Sequence, residues 1–242
     1  MATTTKHVAA RPREFLRVTG PEAEDFLQRM LSNDVSGECC DALLLTPKGR
    51  IIAPVRISRR APDDFLLATE PGLGETLRAT LTRARLASKV ELEPEEHSSA
   101  LAWDDDFAAA EEAIDVDGEP TVGAEELERA RIEAGVPAWG KEIDDSILPA
   151  EAGLDETHIS FTKGCYPGQE PVARLHYRGH PNRGLRRLEV EAAEPGDEIS
   201  YEGKPVGRVT SAVPGIALGY LRREVPSGAE LDVGSAKGRS LD

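Results

Sequence analysis

The final quarter of the chain restricts the fold most. From Leu185 onward, short segments that alternate apolar and polar residues are separated by turns rich in Gly and Pro. The predicted strands cover residues 188–190, 198–201, 205–210, 216–220 and 230–233. Short strands at this spacing are typical of a small β-barrel or sandwich. We therefore predict a separate antiparallel β domain over residues 185–242.

The rest of the chain mixes helix and strand patterns. Strands are predicted at residues 15–18, 43–45, 51–57, 65–68, 89–92 and 100–103, and helices at 22–31, 74–86, 107–113 and 124–135. The second and third strands form a hairpin through a turn at residues 46–50. This order favours an α+β fold over a doubly wound parallel sheet. We predict an N-terminal α+β subdomain over residues 1–95 and a middle α+β subdomain over 96–184.

Charge and cysteine content exclude several classes of protein. The net charge of −15 over 242 residues repels nucleic-acid phosphates and anionic membranes, so a general nucleic-acid binder is not expected. Three cysteines, two of them adjacent, do not make a disulfide framework and indicate a reducing compartment. Residues 1–14 carry no apolar run of signal-peptide length. We expect a cytoplasmic monomer without a membrane span.

Residues 163–170 read Lys-Gly-Cys-Tyr-Pro-Gly-Gln-Glu. Gly164 and Gly168 permit unusual backbone angles and Pro167 stiffens the turn between them, so a loop is predicted. Lys163 lies two residues from Cys165, and a nearby cation favours the reactive thiolate. A small thiol buried under a turn is the alternative. The spacing alone leaves both interpretations open.

Residues 163–174 resemble the signature of the YgfZ family, folate-binding relatives of the glycine-cleavage T-protein. That signature is Lys-Gly-Cys-aromatic-x-Gly-Gln-Glu followed by Ala-Arg. Residues 17–21, 26–28, 32–35, 47–51, 207–211 and 216–219 also resemble family segments. The resemblance implies a T-protein-like ring of subdomains with a terminal β-barrel. It also implies catalytic roles for Cys165 and for Lys163, which would activate the thiol.

Residues 131–135 resemble the Arg-x-Glu-Ala-Gly segment where the T-protein places a glutamate against the pterin ring of folate. A carboxylate suits this role because its oxygens accept bonds from the pterin amino group and ring N–H. The resemblance therefore implies Glu133 as the pterin anchor in a central cavity, and tetrahydrofolate as the cofactor. Further folate contacts are implied for Arg131, Gln169, Glu170 and Arg174. An ordinary surface glutamate is the alternative for Glu133.

The chain departs from the aminomethyltransferases at one point. Where they carry a pair of aspartates in the first hairpin, this sequence has Ala53 and Pro54, so no acid assists proton movement at the folate amine. The resemblance therefore implies an accessory factor that supports iron-sulfur cluster enzymes, including tRNA-thiomethylating ones. Aminomethyl transfer and a non-catalytic adaptor that docks client enzymes are the alternatives.

Seven basic residues follow the motif: Arg174, His176, Arg178, His180, Arg183, Arg186 and Arg187. The glutamate tail of a folate, an acidic surface of the same protein and tRNA are the three candidate counterparts. Gly179 and Pro181 argue against a helix that would pair His176 with His180, so no metal site is predicted. Cys39 and Cys40 are predicted to be buried apolar fillers.

Overall fold

The computed structural model describes residues 6–115 and 118–242. The start of the predicted N-terminal subdomain and two positions of the middle one thus lie outside the described residues. The chain divides into two compact units. Unit 1 comprises Met1–Ala10, Ala100–Asp144 and Pro181–Asp242, and unit 2 comprises Arg11–Ser99 and Asp145–His180. The motif segment, which the sequence places with the middle of the chain, thus belongs to the unit of residues 11–99.

The elements follow in chain order. They are β1 (His7–Ala10), β2 (Glu14–Thr19), α1 (Ala23–Met30), β3 (Cys39–Leu45), β4 (Ile51–Ala61), β5 (Asp64–Thr69), α2 (Gly74–Arg85), β6 (Glu91–Glu95), β7 (Ser99–Trp103), β8 (Glu111–Ile114), α3 (Ala124–Glu133), α4 (Gln169–Arg178), β9 (Arg183–Val190), β10 (Glu198–Tyr201), β11 (Lys204–Val213), β12 (Gly215–Arg222), β13 (Glu230–Val233) and β14 (Ala236–Ser240).

Unit 2 is built on a five-stranded antiparallel sheet with the order β3-β4-β5-β2-β6. Helices α1 and α2 contribute Phe26, Leu27 and Leu77 to a core that also contains Phe65 and Leu67 of β5. These side chains are fully buried, and each burial stabilises the unit by about 1.5–3 kcal/mol. The hairpin predicted around residues 46–50 is present as β3 and β4.

Unit 1 contains a three-stranded sheet in the order β1-β7-β8 and a closed six-stranded barrel in the order β10-β11-β12-β9-β14-β13. Trp103 of β7 packs with Phe107 and with residues of α3. The barrel core includes Leu188, Ile199 and Val209. The predicted α+β fold with an antiparallel C-terminal barrel is therefore confirmed.

Local predictions differ from the structure at two helices. The helix predicted over 107–113 is wrong: a single 3-10 turn, Phe107–Ala109, is followed by β8. The carboxylate of Asp106 accepts a hydrogen bond from the Ala108 N–H and caps that turn. Helix α4, from Gln169 to Arg178, was not predicted; it ends before Gly179, so His176 lies on it and His180 does not, and no helix pairs the two histidines.

Within residues 6–115 and 118–242, we find no helix whose length and apolar content would let it span a membrane.

Candidate functional site

The motif loop is tied to the segment that follows α1. The ammonium group of Lys163 donates hydrogen bonds to the carbonyl oxygens of Leu31, at 2.9 Å, and Asn33, at 2.6 Å. It also lies 5.6 Å from the centre of the Tyr166 ring, a distance suited to a cation–π contact. Lys163 therefore joins residues about 130 positions apart and positions the loop that carries Cys165.

Burial lowers the pKa of Lys163 to about 8, while the charges of Asp34 and Cys40 act weakly in the opposite direction. Asp34 is itself held by hydrogen bonds from the Ser36 N–H and the Gln28 amide, which lower its pKa. Lys163 thus combines a half-buried amine of reduced basicity with a nearby carboxylate. Whether it activates Cys165 stays a prediction.

The three cysteines of unit 2 differ in accessibility. Cys165 and Cys39 are exposed, whereas Cys40 is half-buried on β3. Burial raises the pKa of the Cys40 thiol to about 11. The prediction of buried fillers is therefore wrong for Cys39, which lies at the solvent-exposed start of β3. Cys165 has the accessibility that a reactive thiol requires.

Two glycines allow the hairpin turn and the start of α4 to approach closely. Gly168 has a φ of +83°, and a Cβ atom there would lie 2.5 Å from the Thr46 carbonyl oxygen. Gly49 has a φ of +75°, and its Cβ would lie 3.1 Å from Cγ of Pro171. Only glycine adopts such angles without strain. Both glycines therefore fix the motif against the turn between β3 and β4.

Tyr166 is buried beneath the loop, and burial raises the pKa of its hydroxyl to about 12. That hydroxyl has no hydrogen-bond partner among the residues that the structure describes. A buried polar atom of this kind is costly unless a water or ligand satisfies it. No sequence pattern indicates this unpaired hydroxyl, because an aromatic residue in the motif is equally consistent with packing.

Glu133 is the last residue of α3 and lines a cavity of about 780 Å³ in unit 1. Its side chain is 52% exposed and accepts one hydrogen bond from Arg129, at 3.1 Å. The buried ring of Trp103 and the side chain of Arg187 line the same cavity. The carboxylate keeps acceptor capacity for a ligand with two adjacent N–H donors.

Arg131 is buried, and its five N–H groups bind Glu128, Val136, Glu142 and Ser211. The Glu142 carboxylate, fully buried, also accepts bonds from the Ser211 hydroxyl and the Ala138 N–H. Arg131 has no N–H group left for a folate. In the structure it is a positioning residue that links the end of α3 to barrel strand β11.

The other predicted folate contacts lie at the start of α4. Gln169 is half-buried and begins the helix. Glu170 and Arg174 are exposed and lie 3.3 Å apart as an (i, i+4) ion pair, which is a weak surface interaction. Their contact with folate stays a prediction.

The predicted basic cluster is divided between the two units. Arg174 and Arg178 lie on α4 in unit 2, whereas Arg183, Arg186 and Arg187 lie on β9 in unit 1. Arg186 donates to the Val225 carbonyl, and Arg187 binds the carboxylate of Asp242. The basic residues that are neighbours in the sequence are therefore shared between α4 of one unit and β9 of the other.

His176 packs against an aromatic neighbour. Its ring stacks on Phe161, with centres 3.9 Å apart, and lies 3.7 Å from the carboxylate of Asp155. Within the described part of the chain, no group of three His, Cys, Asp or Glu residues is arranged to hold a metal ion.

Strand β4 carries the two residues that replace the aspartates of the aminomethyltransferases. Ala53 is fully buried and pairs with Leu44, and Pro54 pairs with Leu43. The next acids along the chain are Asp63 and Asp64, and Asp64 on β5 is bound through both carboxylate oxygens by Arg17. Strand β4 therefore has no acid at the two positions where the aminomethyltransferases carry aspartates.

The chain resembles known proteins in both sequence and structure. Residues 178–240 match the family model described as the CAF17 C-terminal beta-barrel domain. The chain is 25% identical to the tRNA-modifying protein YgfZ of Cronobacter sakazakii, over 90% of this chain and 83% of the relative. It is also 25% identical to the mitochondrial iron-sulfur cluster assembly factor IBA57 homolog of Neurospora crassa, over 94% of this chain and 64% of the relative.

A solved structure shares the fold. The glycine cleavage system aminomethyltransferase T of Bartonella henselae aligns with a TM-score of 0.79 and 18% identity, and the alignment covers 98% of this chain and 85% of that one. At this identity the likeness shows a T-protein-like fold. Three findings indicate the same kind of protein: the match to the barrel domain, the relatives that align along most of the chain, and the motif that carries Cys165. Together they show that the chain is similar to YgfZ and IBA57 proteins along most of its length and shares a T-protein-like fold.

Proposed function

We propose that this protein is an accessory factor that binds tetrahydrofolate. It supports the assembly or repair of iron-sulfur cluster enzymes, including tRNA-thiomethylating ones. Cys165 is the residue that it uses for this role. The relatives named for iron-sulfur cluster assembly and for tRNA modification support the process. The T-protein-like fold supports a folate-type ligand.

One observation carries the proposal: the thiol of Cys165 is exposed, on a loop that Lys163 ties to the segment after α1. A loop held by two charge-assisted hydrogen bonds presents its thiol in a defined place. A thiolate is the form that attacks an electrophile or binds iron. The proposed role of Cys165 is to present this thiolate to a one-carbon unit, a persulfide or a cluster iron.

Glu133 fits the pterin end of a folate. Its half-exposed carboxylate lines a cavity of about 780 Å³ that includes the ring of Trp103, and pockets of this size are common for small ligands. Bound tetrahydrofolate would supply a carrier for a one-carbon unit. In this proposal Glu133 binds the pterin.

The central test replaces the motif thiol. We expect Cys165→Ser to lower the recovery of an iron-sulfur enzyme at least roughly tenfold in cells that depend on this protein. Cys39→Ser is the matched control, because Cys39 is a second exposed thiol in the same unit. Full recovery with Cys165→Ser would contradict the role of the thiol.

A separate titration tests folate. Anaerobic calorimetry with tetrahydrofolate should show micromolar binding that weakens at least tenfold, or about 1.4 kcal/mol, in Glu133→Ala. Glu125→Ala is the control, because Glu125 is an exposed glutamate in the first turn of the same helix. If neither the native protein nor Glu133→Ala binds tetrahydrofolate, the proposed folate binding is wrong.

Two alternative functions predict different results. An aminomethyltransferase would show glycine-cleavage activity with a lipoylated carrier protein, which the buried Ala53 in place of an acid disfavours. A purely structural adaptor would bind its client equally well with Glu133→Ala and without folate.

A further inference from the structure

A second concave surface lies in unit 2, outside the cavity that contains Glu133. It is a cleft of about 720 Å³ between the β3–β4 turn and α4. Its lining includes four cationic side chains, Lys48, Arg50, Arg174 and Arg178, and one carboxylate, Glu170. The protein as a whole has a net charge of −15, so the sign of the charge on this concave surface is opposite to that of the whole chain.

Two of these cations are not neutralised within the protein. Lys48 and Arg178 are exposed, and neither has an ion-pair partner among the residues that the structure describes. Arg174 has the solvent-exposed contact with Glu170, at 3.3 Å, and Arg50 binds the Ser146 carbonyl and lies 3.9 Å from the Glu151 carboxylate. Unpaired charges beside a concave surface attract a ligand of opposite charge.

The cleft also has apolar walls. Pro47, Leu148, Pro171 and Leu175 line it together with the cations. Mixed apolar and cationic walls suit a ligand that carries both apolar groups and negative charges. Sites for single-stranded nucleic acids combine a basic groove with aromatic rings on which the bases stack, and no aromatic ring contributes to the described lining of this cleft.

The spacing of the charges favours an extended chain. Arg174 and Arg178 lie four residues apart on α4, so they are neighbours on one face, about 6 Å apart along the helix axis. Alternate residues of an extended peptide project on the same side with a repeat of about 6.6 Å. Carboxylates at alternate positions of such a peptide would therefore reach successive arginines.

The walls that carry these charges are held together. The close contacts of Gly168 with the Thr46 carbonyl and of Gly49 with Pro171 join the turn that carries Lys48 to the start of α4. The cleft is therefore built before a ligand arrives, which reduces the entropy lost on binding.

We propose that this cleft binds an extended acidic segment of a partner protein, with alternating carboxylate and apolar side chains. The carboxylates bind Lys48, Arg174 and Arg178, and the apolar side chains, which project on the opposite side of the segment, contact Leu148. This binding does not depend on folate.

The test uses a fluorescein-labelled peptide in which Glu and Val alternate, titrated with the full chain and followed by fluorescence anisotropy. Lys48→Glu with Arg178→Glu should weaken binding at least tenfold. The matched control is Arg83→Glu with Lys204→Glu, which makes the same change in net charge at two exposed cations outside the cleft. The control should stay within about twofold of the native protein.

A peptide with Gln in place of Glu, and a labelled single-stranded oligoadenylate, complete the experiment. The expected result is weak binding of both, because the first lacks charge and the second lacks the apolar side chains. Equal losses in the two double variants, tighter binding of the oligoadenylate, or no binding of the acidic peptide at millimolar protein would each overturn the proposal. Thermal unfolding of both variants verifies that they are folded.

Discussion

The ammonium group of Lys163 lies 2.6 Å from the carbonyl oxygen of Asn33 and donates a hydrogen bond to it. The same group binds the Leu31 carbonyl, at 2.9 Å. Both acceptors belong to the segment after α1, and Asn33 lies within residues 32–35, which resemble a family segment. Two motifs far apart in sequence thus meet at one side chain, and the motif lysine has a structural role whether or not it also acts on Cys165.

The lowered pKa of Lys163 predicts how the free energy of unfolding depends on pH. Its pKa is lowered to about 8 in the folded protein, from an ordinary value of 10.5. Between these values the unfolded chain binds a proton that the folded chain has lost, so this group makes the free energy of unfolding rise with pH.

The measurement compares the native protein with Lys163→Met by urea unfolding at several pH values. The native protein should gain stability relative to the variant as the pH rises from about 8 to about 10.5. A constant difference across this window would contradict the lowered pKa.

Gly168 should not tolerate a side chain. Gly168→Ala places a Cβ 2.5 Å from the Thr46 carbonyl oxygen, at a φ of +83°, and we expect a loss of about 1–3 kcal/mol in the free energy of unfolding. Gly164→Ala is the control from the same loop, because its Cβ would meet no atom within 4 Å. Similar losses in the two variants would disprove the close approach.

The buried pair of Arg131 and Glu142 should contribute to the stability of unit 1. Glu142→Ala leaves Arg131 paired with Glu128. It removes the acceptor of one buried N–H group of Arg131 and of the Ser211 hydroxyl, and leaving buried donors unsatisfied costs about 1–3 kcal/mol. Glu133→Ala, on the surface of the same helix as Arg131, should change stability by no more than about 0.5 kcal/mol. Chemical denaturation of both variants checks this. If Glu142→Ala were neutral, the network would not be needed for folding.

The three thiols should differ in their rates of alkylation. Cys40 is half-buried, with its pKa raised to about 11, so only about one molecule in a thousand carries its thiolate at pH 8. Cys165 and Cys39 are exposed. Iodoacetamide labelling followed by peptide mass spectrometry should modify Cys165 and Cys39 well before Cys40. Faster labelling of Cys40 than of Cys165 would contradict the assigned burial.

Elements with strong local patterns could be predicted from the sequence. The predicted ranges 198–201 and 230–233 coincide with β10 and β13, and α1, α2 and α3 lie within a few residues of their predicted ranges. Strand β14 and helix α4 were missed. The apolar pattern of β14 is weak because its residues are Ala, Lys, Gly, Arg and Ser. Gly179 and Pro181 argued against a helix, but α4 continues to Arg178 before them.

The α+β fold, the C-terminal barrel and the resemblance that singles out Cys165 and Glu133 follow from the amino-acid sequence, because they depend on local periodicity and on residue motifs. The contacts of the side chains follow from tertiary packing. Packing buries Arg131 with Glu142, joins Lys163 to Asn33, and places Lys48 and Arg174 in the lining of one cleft. Such contacts depend on how distant segments pack, and local sequence patterns do not encode that packing.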